Sequence, residues 1–234
     1  MPYDKRLIVA LDVPDQKSAE TLLSTFGEVK PFVKVGMQLF YATGPEWVRH
    51  LKSSGYAVFL DLKLHDIPQT VYLAAQNLGQ LGVDMITVHI AGGLEMLRAA
   101  VSGVHSVQTE AFTKIVGITQ LTSTDRDVLN DEIGIPGTVE ASVAHYAGLG
   151  KTAGLDGVVC SGWEAATMKR RFGDHFLTVT PGIRLTENAH GDQKRVMTPD
   201  EAIRQGADYL VIGRPITQAE KPVDVYEKIC RLLS

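Results

Sequence analysis

Cysteine is nearly absent: Cys160 and Cys230 are the only two in 234 residues. Neither a disulfide framework nor a CxxC metal site is readable from one pair. A strong charge imbalance is missing too. The formal net charge is −4, which argues against a general nucleic-acid surface, since that would want a basic patch. No apolar run reaches ~18 residues, so no membrane span is expected, and the apolar stretch near the N-terminus is too short for a signal peptide. A cytoplasmic setting is the expectation that follows. The seven histidines include no HExxH or other metal spacing. No G-x-G-x-x-G turn follows the first apolar run, as a doubly wound dinucleotide-binding sheet would usually show.

What is present is a rhythm. Short β-branched runs stand at 6–12, 32–36, 57–63, 85–90, 114–121, 157–161, 176–182 and 209–215. Amphipathic stretches such as 16–26, 46–55, 68–82, 94–104 and 201–206 lie between them, with apolar residues at helical spacing. Several end in glycine, a helix stop signal. Strands alternating with helices imply a parallel sheet. Eight such units closing on themselves give an α/β fold, a single (β/α)8 TIM barrel over residues 1–234; an open doubly wound sheet is the alternative. Single barrels commonly run ~200–250 residues. No linker or charge block marks a domain boundary, and no sequence repeat is evident behind the structural one.

In a parallel barrel the chemistry sits where strands end. Charges gather there. Asp12 closes the first run, Lys34 lies within the second, and Asp61 and Lys63 end the third, followed by His65 and Asp66. Arg214 follows the eighth. Asp61 and Lys63 are two apart, so in a regular strand they share a face. Desolvated charges are costly unless paired, and Lys34 on the neighbouring strand could complete an Asp–Lys–Asp cluster. Such a cluster is either a structural ion-pair network at the barrel mouth or catalytic machinery facing the ligand cavity. His65, His89, Cys160, Trp47, Trp163 and Tyr209 are expected to pack rather than react.

The segment Asp61-Leu-Lys63-Leu-His65-Asp66-Ile67-Pro68-x-Thr70 resembles the signature of the orotidine 5′-monophosphate decarboxylases. Ala10-Leu-Asp12, Lys34-Val-Gly36, Leu121-Thr122-Ser123, Pro181-Gly-Ile-Arg184, Gly191-Asp-Gln193 and Gly213-Arg214-Pro215 resemble the bacterial branch of that family in the same order. The resemblance implies conversion of orotidine 5′-monophosphate to UMP and CO₂. It implies no metal and no organic cofactor. Lys63 would protonate C6 of the pyrimidine, and Asp61 would sit beside the departing carboxylate and hold Lys63. Lys34 would bridge Asp61 and the ribose, which Asp12 would also bind. Thr122 would contact the pyrimidine. Pro181 belongs to the same binding set, and Arg184, Gln193, Gly213 and Arg214 would hold the phosphate end. Asp66, Ile67 and Thr70 belong to the substrate site, with Asp66 and Thr70 reaching into a neighbouring subunit, so the expected assembly is a homodimer with composite active sites.

The chemistry suits these residue types. Decarboxylation leaves an electron pair on an sp² carbon that the ring delocalises poorly, and a preorganised ammonium beside that carbon both stabilises the anion and supplies the proton. The 183–197 connection is long for a βα loop, where ~2–6 residues are usual, and reads as either a lid over the phosphate or a solvated surface loop. Three competitors remain. Mg²⁺-dependent sugar-phosphate enzymes of the same superfamily carry a glutamate where this chain has Lys34. A pentulose-phosphate epimerase would want metal-binding histidines at strand ends. A non-catalytic nucleotide binder would not need a proton donor at Lys63.

Overall fold

The computed structural model describes residues 3–107, 112–185 and 196–233. Eight parallel strands pair in sequence order and close on themselves, β1 returning to β8. They are β1 (Leu7–Ala10), β2 (Phe32–Gly36), β3 (Val58–Leu64), β4 (Met85–His89), β5 (Lys114–Ile118), β6 (Gly157–Val159), β7 (Leu177–Thr180) and β8 (Tyr209–Ile212). The (β/α)8 barrel expected from the alternation is therefore present. Each observed strand falls within or beside its β-branched run, but most stop short of it at the C-terminal end. Asp12, Thr122, Pro181 and Gly213 thus lie in the connections just above the strands, where a barrel places its ligand-binding loops.

The outer layer comprises α1 (Gln16–Ser24), α2 (Met37–Ser53), α3 (Pro68–Gln80), α4 (Gly93–His105), α5 (Val139–Ala153), α6 (Gly162–Phe172), α7 (Pro199–Arg204), the short α8 (Arg214–Thr217) and α9 (Pro222–Leu233). Local chemistry sets their ends. Asp15 caps α1 by accepting from the Ser18 N–H, and Ser161 with Glu164 forms a reciprocal capping box on α6. The large apolar core lies between barrel and helices. A second, smaller cluster of Ile8, Ala10, Phe32, Phe59, Met85, Val116, Val179 and Val211 fills the barrel itself. Its members stand two apart on β1, and one step further up come Asp12 above Ala10, Lys34 above Phe32, Asp61 above Phe59 and Thr87 above Met85. The inner wall is apolar below and polar above because alternate residues of each strand line one face.

The opposite end of the barrel carries a repeat that is visible in the chain: Gly82-Val83-Asp84, Gly154-Leu155-Asp156 and Gly206-Ala207-Asp208. The three glycines have φ of 67°, 91° and 92°, values that glycine adopts without steric cost. Two residues on, each aspartate accepts the backbone N–H of the preceding strand at 2.7 Å, from Val58, Ile115 and Thr178. The same turn is thus built before β4, β6 and β8. Lys52 reaches Asp84, and Lys169 reaches Asp208 at 2.6 Å. These acids are tied into the frame, far in chain topology from the strand ends that carry the site.

Candidate active site

At the C-terminal ends of the strands opens a cavity of about 520 Å³. One side is charged. Lys34 Nζ lies 2.9 Å from Asp12 Oδ1 and 3.6 Å from Asp61 Oδ2, while Lys63 Nζ lies 2.8 Å from Asp61 Oδ1. The four groups form a chain of alternating sign, Asp12–Lys34–Asp61–Lys63. Ala10 pairs with Lys34, and Gly36 with Asp61, in the strand register, which carries the chain from β1 across to β3. Gly36 gives this cluster room: a Cβ there would stand 3.2 Å from Lys34 Nζ and 3.5 Å from Asp12 Oδ1.

Burial is uneven along the chain of charges. The Lys34 and Asp61 side chains are 10% and 14% exposed, Lys63 27% and Asp12 55%. Burial alone would raise Asp61. The charges of Lys34 and Lys63, with hydrogen bonds from Lys63 and Thr87, outweigh that and hold its carboxyl below the usual carboxylate range. A buried carboxylate between two ammonium groups keeps its charge, and it fixes both cations without moving.

The strand that carries the Asp61–Lys63 pair is not regular. The β3–β4 register shifts between Leu60 and Leu64, so four residues of β3 pass two of β4. Lys63 takes φ 53°, the only non-glycine residue with positive φ among the described residues. This left-handed kink disfavours any residue with a Cβ. The ammonium lies 2.8 Å from Asp61 all the same, the neighbourhood expected of residues two apart on a strand.

The other side of the cavity is apolar: Ile118, Val159, Cys160 and Val211 come from β5, β6, β8 and their ends. Thr122 and Pro181 line it, as do Arg184, Gly213 and Arg214. Arg184 is buried and donates to the Ile183 carbonyl at 3.0 Å. The ends of the 183–197 connection are pinned together, the Arg184 N–H donating to Met197 O at 3.0 Å and the Met197 N–H to Gly182 O at 3.2 Å. Gln193 lies outside the described residues, as does most of the connection expected to act as a lid.

Asp66, Ile67 and Thr70 stand apart from this cavity. All three are exposed, Ile67 by 67%, and none lines it. The Asp66 carboxylate accepts its neighbour Ile67's N–H at 2.6 Å. His65 and His89 stack with ring centroids 5.2 Å apart. Burial, then the nearby His65 and Lys63 charges, push His89 below the usual imidazole range. Cys160, expected only to pack, is buried and also lines the cavity. Sequence reasoning missed Thr87, Gln120 and Gln218. The last two line the cavity but carry no charge to single them out. Among the described residues, no group of three or more His, Cys, Asp or Glu is placed to hold a metal ion, and no helix is long and apolar enough to cross a membrane.

Comparison with known proteins places the whole chain in one family. Residues 5–229 match the family described as "Orotidine 5'-phosphate decarboxylase / HUMPS family". An orotidine 5′-phosphate decarboxylase of Staphylococcus haemolyticus is 50% identical over 222 residues, 95% of each chain. One from Ligilactobacillus salivarius is 50% identical over 234 residues, covering 99% of this chain and 98% of its own. Among solved structures, an orotidine 5′-phosphate decarboxylase from Lactobacillus acidophilus superposes with a TM-score of 0.89 at 38% identity, over 99% of this chain and all of the other.

Proposed function

The chain belongs to the orotidine 5′-phosphate decarboxylase / HUMPS family, and from that premise we propose that it converts orotidine 5′-monophosphate to UMP and CO₂ with the residues of this cavity. The observation that carries the reading is the alternating chain Asp12–Lys34–Asp61–Lys63 on one wall of a cavity that Arg184 and Arg214 also line. A substrate with a reacting ring and a distant phosphate needs both ends.

In this mechanism the bond from C6 to the carboxylate breaks and its electron pair stays on C6. CO₂ leaves. The Lys63 ammonium stabilises the developing anion and then donates a proton to C6, giving UMP, and Lys63 regains a proton from solvent. Held at 2.8 Å by Asp61, the ammonium need not reorganise as charge develops, which is how electrostatic preorganisation accelerates a reaction. Asp61 also lies where a substrate carboxylate would approach Lys63. Lys34 and Asp12 face the ribose, and Asp12, as the most exposed member of the chain, is free to accept its hydroxyls. Thr122 and Pro181 flank the pyrimidine. Arg184 and Arg214, with the backbone at Gly213, take the phosphate, where a guanidinium pairs bidentately with oxygens; Gln193 joins them in this proposal. Phosphate binding far from the reacting carbon can be spent on the chemical step.

The proposal includes a homodimer in which Asp66 and Thr70, with the adjoining Ile67, complete the partner's site. Their exposure and their position directly after the β3 charges support it. A cytoplasmic setting is part of the same reading, and the two buried cysteines, Cys160 and Cys230, are compatible with it.

The deciding experiment is incubation with orotidine 5′-monophosphate, with and without EDTA, following UMP by chromatography. UMP formation in both is expected. No product would refute the assignment, and product only with a divalent ion would move the chain to the metal-dependent members of the superfamily.

A further inference from the structure

Thr87 lies in the middle of β4, is completely buried and does not line the cavity. Its hydroxyl nonetheless touches the catalytic cluster twice. It accepts the backbone N–H of Lys63 at 2.8 Å and donates to Asp61 Oδ1 at 3.1 Å, the same oxygen that receives Lys63 Nζ. One hydroxyl has one proton and two lone pairs, so both bonds can form at once. The Lys63 N–H needs such a partner. In a regular parallel ladder it would go to a carbonyl of the neighbouring strand, but the register shift between Leu60 and Leu64 removes that pairing. Buried donors without partners are rare in folded proteins, and a left-handed non-glycine residue persists only where its surroundings hold it.

We infer that Thr87 is a positioning residue for the reaction: its hydroxyl locks the left-handed backbone of Lys63 and the carboxylate of Asp61 into one geometry, so that the ammonium points into the cavity. A slack donor costs rate, because displacement of a catalytic group by about 1 Å can cost ~10²-fold. Since Thr87 does not line the cavity, its loss should reach kcat and leave binding almost unchanged. The inference rests on the decarboxylase reading, with Lys63 as the proton donor.

The test compares Thr87→Val, which keeps the shape and removes the hydroxyl, with Thr87→Ser, which keeps the hydroxyl. Turnover of orotidine 5′-monophosphate, KM, UMP affinity and thermal unfolding are measured for each. For Thr87→Val, kcat should fall roughly 10- to 100-fold, the range for a lost hydrogen bond to a charged group. KM and UMP affinity should stay within about threefold of wild type, a change too small to signal a lost binding contact. Thr87→Ser should recover most of the rate. Should Thr87→Val fail to fold, Thr87→Cys, with its weak donor, takes its place under the same criteria. Unchanged kcat in the folded variant overturns the inference, as does an equal loss in Thr87→Ser, which would assign the effect to the methyl group. An inactive wild-type protein would instead sink the decarboxylase reading.

Discussion

Lys63 and Asp61 sit two residues apart on one strand, and their 2.8 Å contact falls within a break in that strand's pairing. The left-handed backbone at Lys63 folds the ammonium towards a carboxylate that is itself pinned by Lys34 and Thr87. Lys63 is thereby presented to the cavity with its orientation fixed from two directions. Lys63→Ala should therefore lower kcat by several powers of ten, since the electrostatic and proton-donor contributions it combines are each worth ~10²–10⁴. UMP should still bind, and the protein should still fold. Turnover within tenfold of wild type would remove Lys63 from the proton-donor role.

Asp61 gives a dependence on pH with a definite sign. Its folded-state carboxyl lies below the ordinary value. Ionised Asp61 therefore contributes stability that is present above the unfolded value, ~3.9, and is lost as pH falls through the lower folded value. Asn at this position cannot titrate. The stability advantage of wild type over Asp61→Asn should be full above about pH 5 and shrink on acidification, as measured by thermal unfolding across that range. A gap that widens as pH falls would contradict the assigned direction.

Metal removal should change nothing. The carboxylates of Asp12 and Asp61 that face the cavity are each paired with an ammonium group, Lys34 with both and Lys63 with Asp61. A divalent cation entering there would meet two positive charges at close range. Exhaustive chelation should leave the decarboxylation rate at its starting value, and added Mg²⁺ should not raise it. Restoration of a chelated enzyme by a divalent ion is the contrary result.

Arg214 follows β8 and lines the cavity beside Gly213. Its side chain is exposed in the open cavity; if bound phosphate buries it, Arg214→Ala should cost about 2–5 kcal/mol of transition-state binding on the intact substrate, the range for truncating one partner of a charge pair that binding desolvates. The loss should be far smaller on the nucleoside lacking phosphate. Comparing kcat/KM for the two substrates in both proteins measures the difference, and equal losses would place Arg214 in folding or elsewhere.

All eight strands were legible because buried parallel strands read as compact β-branched runs. Lys34, Asp61 and Lys63 were legible because charges inside such runs demand an explanation. The features that escaped were of a different kind. A threonine between Ile86 and Val88 is an ordinary β-former, and nothing local reveals that its hydroxyl serves residues 24 and 26 positions away. Positive φ at Lys63 has no signal in residue type, since lysine is not a residue that favours it. The Gly-x-Asp turns before β4, β6 and β8 recur in the chain, but so short a motif is masked by the divergent helices between.

Asp66 is exposed and follows directly on the β3 charges, yet it does not line the cavity of its own chain. A residue so placed serves either its own surface or a partner. A two-fold interface is self-complementary, so in a dimer each subunit would both donate and receive Asp66 and Thr70. Mixing separates the alternatives. Lys63→Ala and Asp66→Asn homodimers should each be nearly inactive, because every site carries one defect. In a mixed dimer one site carries both defects and the other carries neither. Random pairing of equal amounts makes half of the dimers mixed, with half of their sites intact, so activity should return to ~25% of wild type. Subunit exchange must be verified independently, for example by mass-tagging one variant. With exchange established, recovery supports composite sites, and the absence of any recovery places Asp66 in its own subunit.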